Sequence, residues 1–255
     1  MEKLKGVITA SSGNHGQSIA YSANMFGAKC VVCVPKDANP DKVASIKRLG
    51  SEVIHFGAYF DQTREYAEQI SREEGYKFIH AVNEPLLIEG VATYTMEIIE
   101  DLPDVDGIIV PLGGGSGASG ACIVAKHINP DIEVIAVQSA EAPAGYLSWK
   151  NGSLTKADMT SRAEGLATGS GYELPQEILK ELLDDFLLVT DAEMEEAISI
   201  HLENTHNLAE HAGAASLAAA LQLKDRLCGK KIALVMSGGN LSLSGLKATI
   251  GQPRK

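Results

Sequence analysis

Short runs of β-branched and apolar residues return eight times along this chain, and most gaps between them are patterned for a helix. The runs are 6–9, 29–34, 52–54, 77–79, 106–111, 132–137, 186–189 and 231–236. Amphipathic segments such as 63–74, 86–100 and 192–203 lie between them. A strand followed by a helix and another strand returns to its sheet as a parallel neighbour, through a right-handed crossover. The alternation predicts an α/β fold of two domains, each an open, mostly parallel twisted sheet flanked by helices. Val7-Ile8-Thr9, Ile108-Ile109-Val110 and Ile232-Ala233-Leu234-Val235 are apolar without alternation, the pattern of strands covered on both faces. Asn83-Glu84-Pro85 reads as a turn. It divides a small α/β domain, 1–83, from a larger one, 84–255, which a loop-rich stretch from Lys150 to Pro175 interrupts.

Charge and hydropathy narrow the function classes. The 255 residues carry 33 acidic against 22 basic side chains, a formal net charge of −11 without basic clusters. Such a chain is a poor partner for nucleic-acid phosphates or anionic lipid. Its apolar stretches fall far short of a membrane span. No secretory-type region precedes the first strand-like run, so the expectation is a cytoplasmic protein. Cys30 and Cys33 form a C-x-x-C spacing, but three residues apart on a strand they point to opposite faces and share neither a metal nor a bond. Cys122 and Cys228 read as small core residues. His201, His206 and His211 recur every five residues, which spreads them around a solvated helix face. Glu203 and His206 give one E-x-x-H without the second copy a di-metal site needs. Trp149 reads as a packing residue.

Open α/β sheets take ligands at the carboxyl ends of their strands, and three such ends are unusual here. After 7–9 comes Ser11-Ser12-Gly13-Asn14-His15-Gly16. Its hydroxyls and amide cap a helix starting near His15, and the helix start favours an anion such as a carboxylate; a plain helix cap explains it equally. After 106–111 comes Gly113-Gly114-Gly115-Ser116-Gly117-Ala118-Ser119-Gly120, ahead of a helical 121–127. Strand, glycine loop and helix in that order favour a phosphate cradle over a mere tight turn, because glycines expose backbone N–H groups and admit a close approach. Residues 115–120 also fit G-x-G-x-x-G. The dinucleotide reading, that of an oxidoreductase, needs a ribose-binding carboxylate, yet 132–137 ends in Gln138-Ser139 with none before Glu141. A phosphate-bearing cofactor of another kind fits better. The third end, Met236-Ser237-Gly238-Gly239-Asn240, is on its own a tight turn. No G-x-S-x-G elbow and no Walker lysine accompany these loops.

Taken in order, the three loops resemble the fold-type II pyridoxal-phosphate enzymes, in the branch of threonine and serine dehydratases and serine racemases. Val34-Pro35 with Lys42 and Gly50, His80-Ala81-Val82-Asn83-Glu84-Pro85, Ala163-Glu164-Gly165-Leu166-Ala167, and Glu210 before Gly213-Ala214 are similar to the same family. The resemblance covers essentially the whole chain. It implies pyridoxal 5'-phosphate as cofactor, its phosphate on the amides of Gly113, Gly114, Gly115, Ser116 and Gly117. Asn14 would meet the ring hydroxyl and Ser237 the pyridine nitrogen. Ser11, Ser12, Gly13 and His15 would bind the carboxylate of a small amino-acid substrate. A serine at the ring nitrogen leaves the pyridine neutral, which suits β-elimination of water, then ammonia, from serine or threonine to a 2-oxo acid. Ser12 matches the serine that acts on the opposite face of the substrate carbon in racemase relatives. As a candidate acid/base it keeps amino-acid racemisation open beside the ammonia-lyase reading. A non-catalytic small-anion-binding or scaffold role is the reading from a different class. The resemblance also implies a homodimer.

The chain departs from the family's pattern in places. The Schiff-base lysine of the family stands in a Ser-x-Lys context ahead of the first loop; here ten residues precede Ser11, and Lys3 and Lys5 lie outside such a context. The expectations are an N-terminal segment missing from this chain, a cofactor not covalently attached, and little or no turnover by residues 1–255. Gly90-Val91-Ala92-Thr93 replaces the usual Gly-Gln-Gly-Thr. Gln138 stands where metal-binding relatives carry a glutamate, so no divalent-cation site is expected. The sequence ends soon after Asn240, so the allosteric C-terminal domain of biosynthetic threonine dehydratases is not expected.

Overall fold

Every one of the eight apolar runs becomes a strand in the computed structural model, which describes residues 5–58 and 60–251, without the side chains of Phe60 and Asp61. Lys3, named above, lies outside the described residues. Two compact units divide the chain, Met1–Glu84 and Pro85–Lys255.

The first unit is built on β1 (Val7–Ala10), β2 (Cys30–Val34), β3 (Glu52–His55) and β4 (Lys77–Phe78), all parallel in the order β3-β2-β1-β4. β2 is buried along its whole length, and its alternation sorts two cores. Val31 and Cys33 pack with Ile8, Ala10, Ala67 and Ile70 under α3 (Phe60–Glu74). Cys30, Val32 and Val34 pack with Ala20, Ala23, Val43 and Ile46 under α1 (Asn14–Met25) and α2 (Pro40–Arg48). The two thiols therefore sit on opposite faces, both free. Asn39 starts α2 with its side-chain oxygen accepting from the Asp41 N–H at 2.9 Å, and Pro40 supplies a helical φ at the first position.

The second unit repeats the plan with β5 (Gly107–Pro111), β6 (Glu133–Ser139), β7 (Asp185–Val189) and β8 (Ile232–Leu234), parallel in the order β7-β6-β5-β8. One face carries Ile108, Val110, Val134 and Phe186 against α4 (Pro85–Asp101), α5 (Ser116–Ile128) and α7 (Glu173–Leu182). The other carries Ile109, Ile135 and Val137 against α8 (Asp191–Asn204) and α9 (His211–Gln222). A capping box of Thr190 and Glu193 fixes the start of α8. Two further helices, α6 (Ala144–Asn151) and α10 (Leu243–Ile250), complete the described unit. Trp149 of α6 donates its ring N–H to the Leu179 carbonyl and packs beside Phe186.

Several expectations are corrected. β8 is only half-buried, because among the described residues it lies at the end of its sheet with β5 as its one strand neighbour. α5 begins at Ser116, five residues before the expected 121. Glycines disfavour a helix, but a Cβ at Gly120 would lie 3.0 Å from the Ala92 backbone, so close packing of α5 on α4 requires a glycine there. Lys150 and Pro175 belong to helices, and the loop between them is shorter than expected. His201, His206 and His211 share no helix: the first lies in α8, the second at φ 57 beyond its end, the third opens α9 and is buried. Cys228 is exposed, in the turns after α9. Among the described residues no helix is long and apolar enough to cross a membrane.

Candidate functional site

Strand order, which periodicity leaves open, decides where a ligand fits in such sheets. In the second unit the chain runs from β5 to β6 to β7 in one direction, and β8 lies on the other side of β5. The helices that follow β5 and precede β8 cover opposite faces. The carboxyl ends of β5 and β8 are thus the switch point of the sheet, where open α/β folds take their ligands. The glycine loop leaves β5 there and Ser237 follows β8, so the two expected cofactor-binding segments spring from adjacent strand ends. The Val235 N–H donates to the Ile109 carbonyl at 3.0 Å. The buried Ser216 hydroxyl of α9 bridges the same strands, 2.9 Å from the Ile109 carbonyl and 3.0 Å from that of Val235. At the β8 tip, the Glu210 N–H donates to the Gly238 carbonyl, and a Cβ on Gly213 would run into that oxygen. Ser237 itself is exposed.

The glycine loop holds a strained path. Gly115 sits at φ +106, and a Cβ there would lie 2.8 Å from Pro175. A Cβ on Gly113 would run into the Gly165 carbonyl. The Ser119 N–H closes the first turn of α5 on the Gly115 carbonyl at 2.9 Å. As at any helix start, the N–H groups of Ser116, Gly117 and Ala118 have no acceptor within the helix, and the helix dipole adds positive potential. Gly117 has ordinary space around it, its nearest neighbour the Tyr94 hydroxyl at 3.7 Å from a built Cβ.

Two residues behind this loop, Tyr94 and Thr168, escaped the sequence reading, and Gln138, singled out there only for what it lacks, joins them. The Tyr94 hydroxyl donates to the Gly117 carbonyl at 2.8 Å, and burial pushes its pKa up, so it remains a donor at neutral pH. The Thr168 hydroxyl donates to the Gly113 carbonyl at 3.4 Å. Gln138, fully buried, donates to Thr168 at 3.3 Å and to the Leu166 carbonyl at 3.4 Å while accepting from the Tyr146 N–H at 3.0 Å. No local pattern marks Tyr94; Thr168 directly follows Ala163–Ala167, a stretch visible only as a family likeness.

The first unit has a switch point of its own, between β1 and β4. Ser11, Ser12, Gly13, Asn14 and His15 follow β1 and start α1. The expected side-chain cap is absent: Gly13 is the N-cap, without a side-chain hydrogen bond, and the Ser11 hydroxyl instead accepts from the Gly13 N–H at 3.2 Å. Ser11 stays extended, its N–H on the Cys33 carbonyl. Gly16 lets the helix pack here, since a Cβ would lie 2.6 Å from the Ser11 carbonyl. Asn14, the first helical residue, is exposed. The Thr9 hydroxyl donates to the Ile79 carbonyl at 2.8 Å and so accepts from His15 Nε2–H at 2.9 Å. Burial lowers the His15 pKa to about 4, opposed by the Ile79 carbonyl and aided by His80, so the ring is neutral at pH 7. His80 Nδ1 accepts from the N–H groups of Val82 and Asn83, both at 2.9 Å, and burial lowers its pKa too. Among the described residues no group of three His, Cys, Asp or Glu side chains could hold a metal ion.

Comparison with known proteins places these loops in context. The sequence profile of the family described as "Pyridoxal-phosphate dependent enzyme" matches residues 2–238. An L-threonine ammonia-lyase of Thermotoga maritima is 36% identical over 98% of this chain, which spans 63% of that protein's length. A serine racemase of Schizosaccharomyces pombe is 34% identical over 95% of this chain and 75% of its own length. The processed threonine deaminase isoform 2 of Solanum lycopersicum superposes with a TM-score of 0.93 at 29% identity, over 97% of this chain and 73% of that one.

Proposed function

Because the chain belongs to the pyridoxal-phosphate dependent enzyme family, we propose that it serves an ammonia-lyase acting on threonine or serine. One observation carries the reading: at the β5–β8 switch point a strand and a glycine loop lead into a helix start, whose first N–H groups have no acceptor within the helix, in a family whose cofactor bears a monophosphate. The residues fit that group. Gly113 and Gly115 stand where no side chain can, and the start of α5 supplies unpaired donors. In this reading Gly113, Gly114, Gly115, Ser116 and Gly117 hold the phosphate, and the Ser237 hydroxyl meets the ring nitrogen.

When bound, the cofactor supplies the electron sink that lets a β-hydroxyl leave the substrate. Ser237, a neutral hydrogen-bonding partner, leaves that ring uncharged and so favours elimination. In the first unit, the N–H groups opening α1 and the hydroxyls of Ser11 and Ser12 bind the substrate carboxylate, with Gly13 giving room. The His15 ring, neutral and with its Nε2–H spent on Thr9, has no donor left for that carboxylate and instead ties the start of α1 to β1. None of these residues offers an amine, so residues 1–255 on their own are expected to hold the cofactor non-covalently and turn over little substrate.

Ser12 favours a second reading, amino-acid racemisation, because a hydroxyl on the first loop is a candidate acid/base for the substrate carbon. A homodimer fits the family in either case.

The test follows binding and turnover separately. The purified chain is expected to bind pyridoxal 5'-phosphate more tightly than pyridoxal, and borohydride treatment is expected to leave no cofactor on the protein. Threonine turnover, where it occurs, is expected to give 2-oxobutanoate. D-serine from L-serine without 2-oxo acid would favour the racemase. Equal affinity for pyridoxal and its phosphate would overturn the cofactor assignment and leave a non-catalytic role.

A further inference from the structure

An anion-holding turn works only if its N–H groups already point at the anion, and a loop of glycines has little stiffness of its own. The surroundings of the loop supply that stiffness through its carbonyls. In a planar trans peptide the C=O of one residue and the N–H of the next point in opposite directions. Holding the Gly113 carbonyl therefore aims the Gly114 N–H, and holding the Gly117 carbonyl aims the Ala118 N–H. Thr168 does the first, at 3.4 Å, from a loop 55 residues further along the chain. Tyr94 does the second, at 2.8 Å, from α4. Thr168 grips the loop itself, Tyr94 grips the first turn of α5 that the loop leads into, and Gly115 turns the chain between them. Thr168 is itself oriented, since Gln138 donates to its oxygen and leaves its hydrogen for Gly113. Gln138 cannot rotate without loss: both of its amide ends are engaged.

We propose that Tyr94 and Thr168 are positioning residues for the phosphate-holding turn, each aiming one loop N–H by gripping the carbonyl of the same peptide unit, with Gln138 orienting Thr168. The inference rests on the reading of 113–117 as a phosphate holder. Neither side chain need touch the cofactor. Their effect falls on the phosphate alone, which separates it from a general loss of structure.

The test is the ratio of affinities for pyridoxal 5'-phosphate and pyridoxal, measured by fluorescence titration on the purified chain, with the 31P resonance of the bound phosphate as a second readout. Tyr94→Phe and Thr168→Val are each expected to lower the ratio about three- to tenfold, the value of one hydrogen bond, and to shift the 31P resonance. Thr168→Ser keeps the donor and is expected to restore the ratio. Lys126→Met removes hydrogen bonds near the other end of α5; it is expected to lower Tm and leave the ratio unchanged. A wild-type ratio well above one that persists in Tyr94→Phe and Thr168→Val would overturn the proposal while sparing the phosphate-holding reading. A wild-type ratio near one would overturn that reading and the proposal with it.

Discussion

The carbonyl oxygen of Gly165 occupies the place where a side chain of Gly113 would begin. Residues on two separate loops of the second unit thus interlock backbone against backbone, and the glycine is required by its neighbour as much as by any anion. Gly113→Ala is expected to cost about 1–3 kcal/mol, because one of two backbones must move. Gly90 of α4 is the contrast, helical and exposed, with nothing within 4 Å of a built Cβ. Gly90→Ala is expected to stabilise by about 0.5–1 kcal/mol. Urea unfolding of both variants reads the opposite signs.

Gln138→Glu replaces a buried donor with an acceptor facing the Leu166 carbonyl and the Thr168 hydroxyl. At pH 7 the variant is expected to lose about 3 kcal/mol or more, the scale of an uncompensated buried charge. At pH 5 the loss shrinks, because a protonated glutamate recovers a donor. Unfolding curves at the two pH values check both the size and the direction.

His15 gives the fold an acid sensitivity of known sign. Its pKa falls from the ordinary 6.5 to about 4 in the folded chain, chiefly through burial. Below pH 6.5 the unfolded chain takes up a proton that the folded ring refuses. This contribution is intact above pH 6.5 and is lost as the pH falls toward 4, by up to about 3 kcal/mol. His15→Gln keeps an N–H for Thr9 without a titrating group, so its stability is expected to vary less between pH 7 and 4.5 than that of the wild type.

Removing the Ser216 hydroxyl deprives the β5 and β8 carbonyls of a shared donor. Ser216→Ala is expected to cost about 1–3 kcal/mol. Hydrogen exchange should quicken in β8 more than in β5, since among the described strands β8 has one partner and β5 has two.

How much of this was legible in the sequence depends on the distance over which each feature is encoded. β2 and β5 were readable because complete burial leaves its mark residue by residue, in CVVCV and GIIVP. The glycine loop was readable because its strand, turn and helix are contiguous. The start of α5 was not: propensity placed it at 121, whereas contact between Gly120 and Ala92 draws the helix back to Ser116. β8 looked like a doubly covered strand because apolar composition does not tell a central strand from an outer one. The serines of the first loop looked like helix caps, yet Ser11 is held extended by the Cys33 carbonyl and Gly13 takes the cap position. The pairs Tyr94–Gly117 and Thr168–Gly113 were out of reach, since nothing near either hydroxyl in the chain names its partner.

The grip of Thr168 on Gly113 spans 55 residues, and that of Ser216 on Ile109 spans 107. Bonds between such distant parts of the chain close late, after the entropy of the long loops between them has been surrendered. The proposed phosphate turn is therefore expected to take shape late in folding, so that an anion that recognises it does little to hasten folding. Its stabilisation should appear in the other direction of the kinetics, as a longer-lived native state with an unaltered refolding rate.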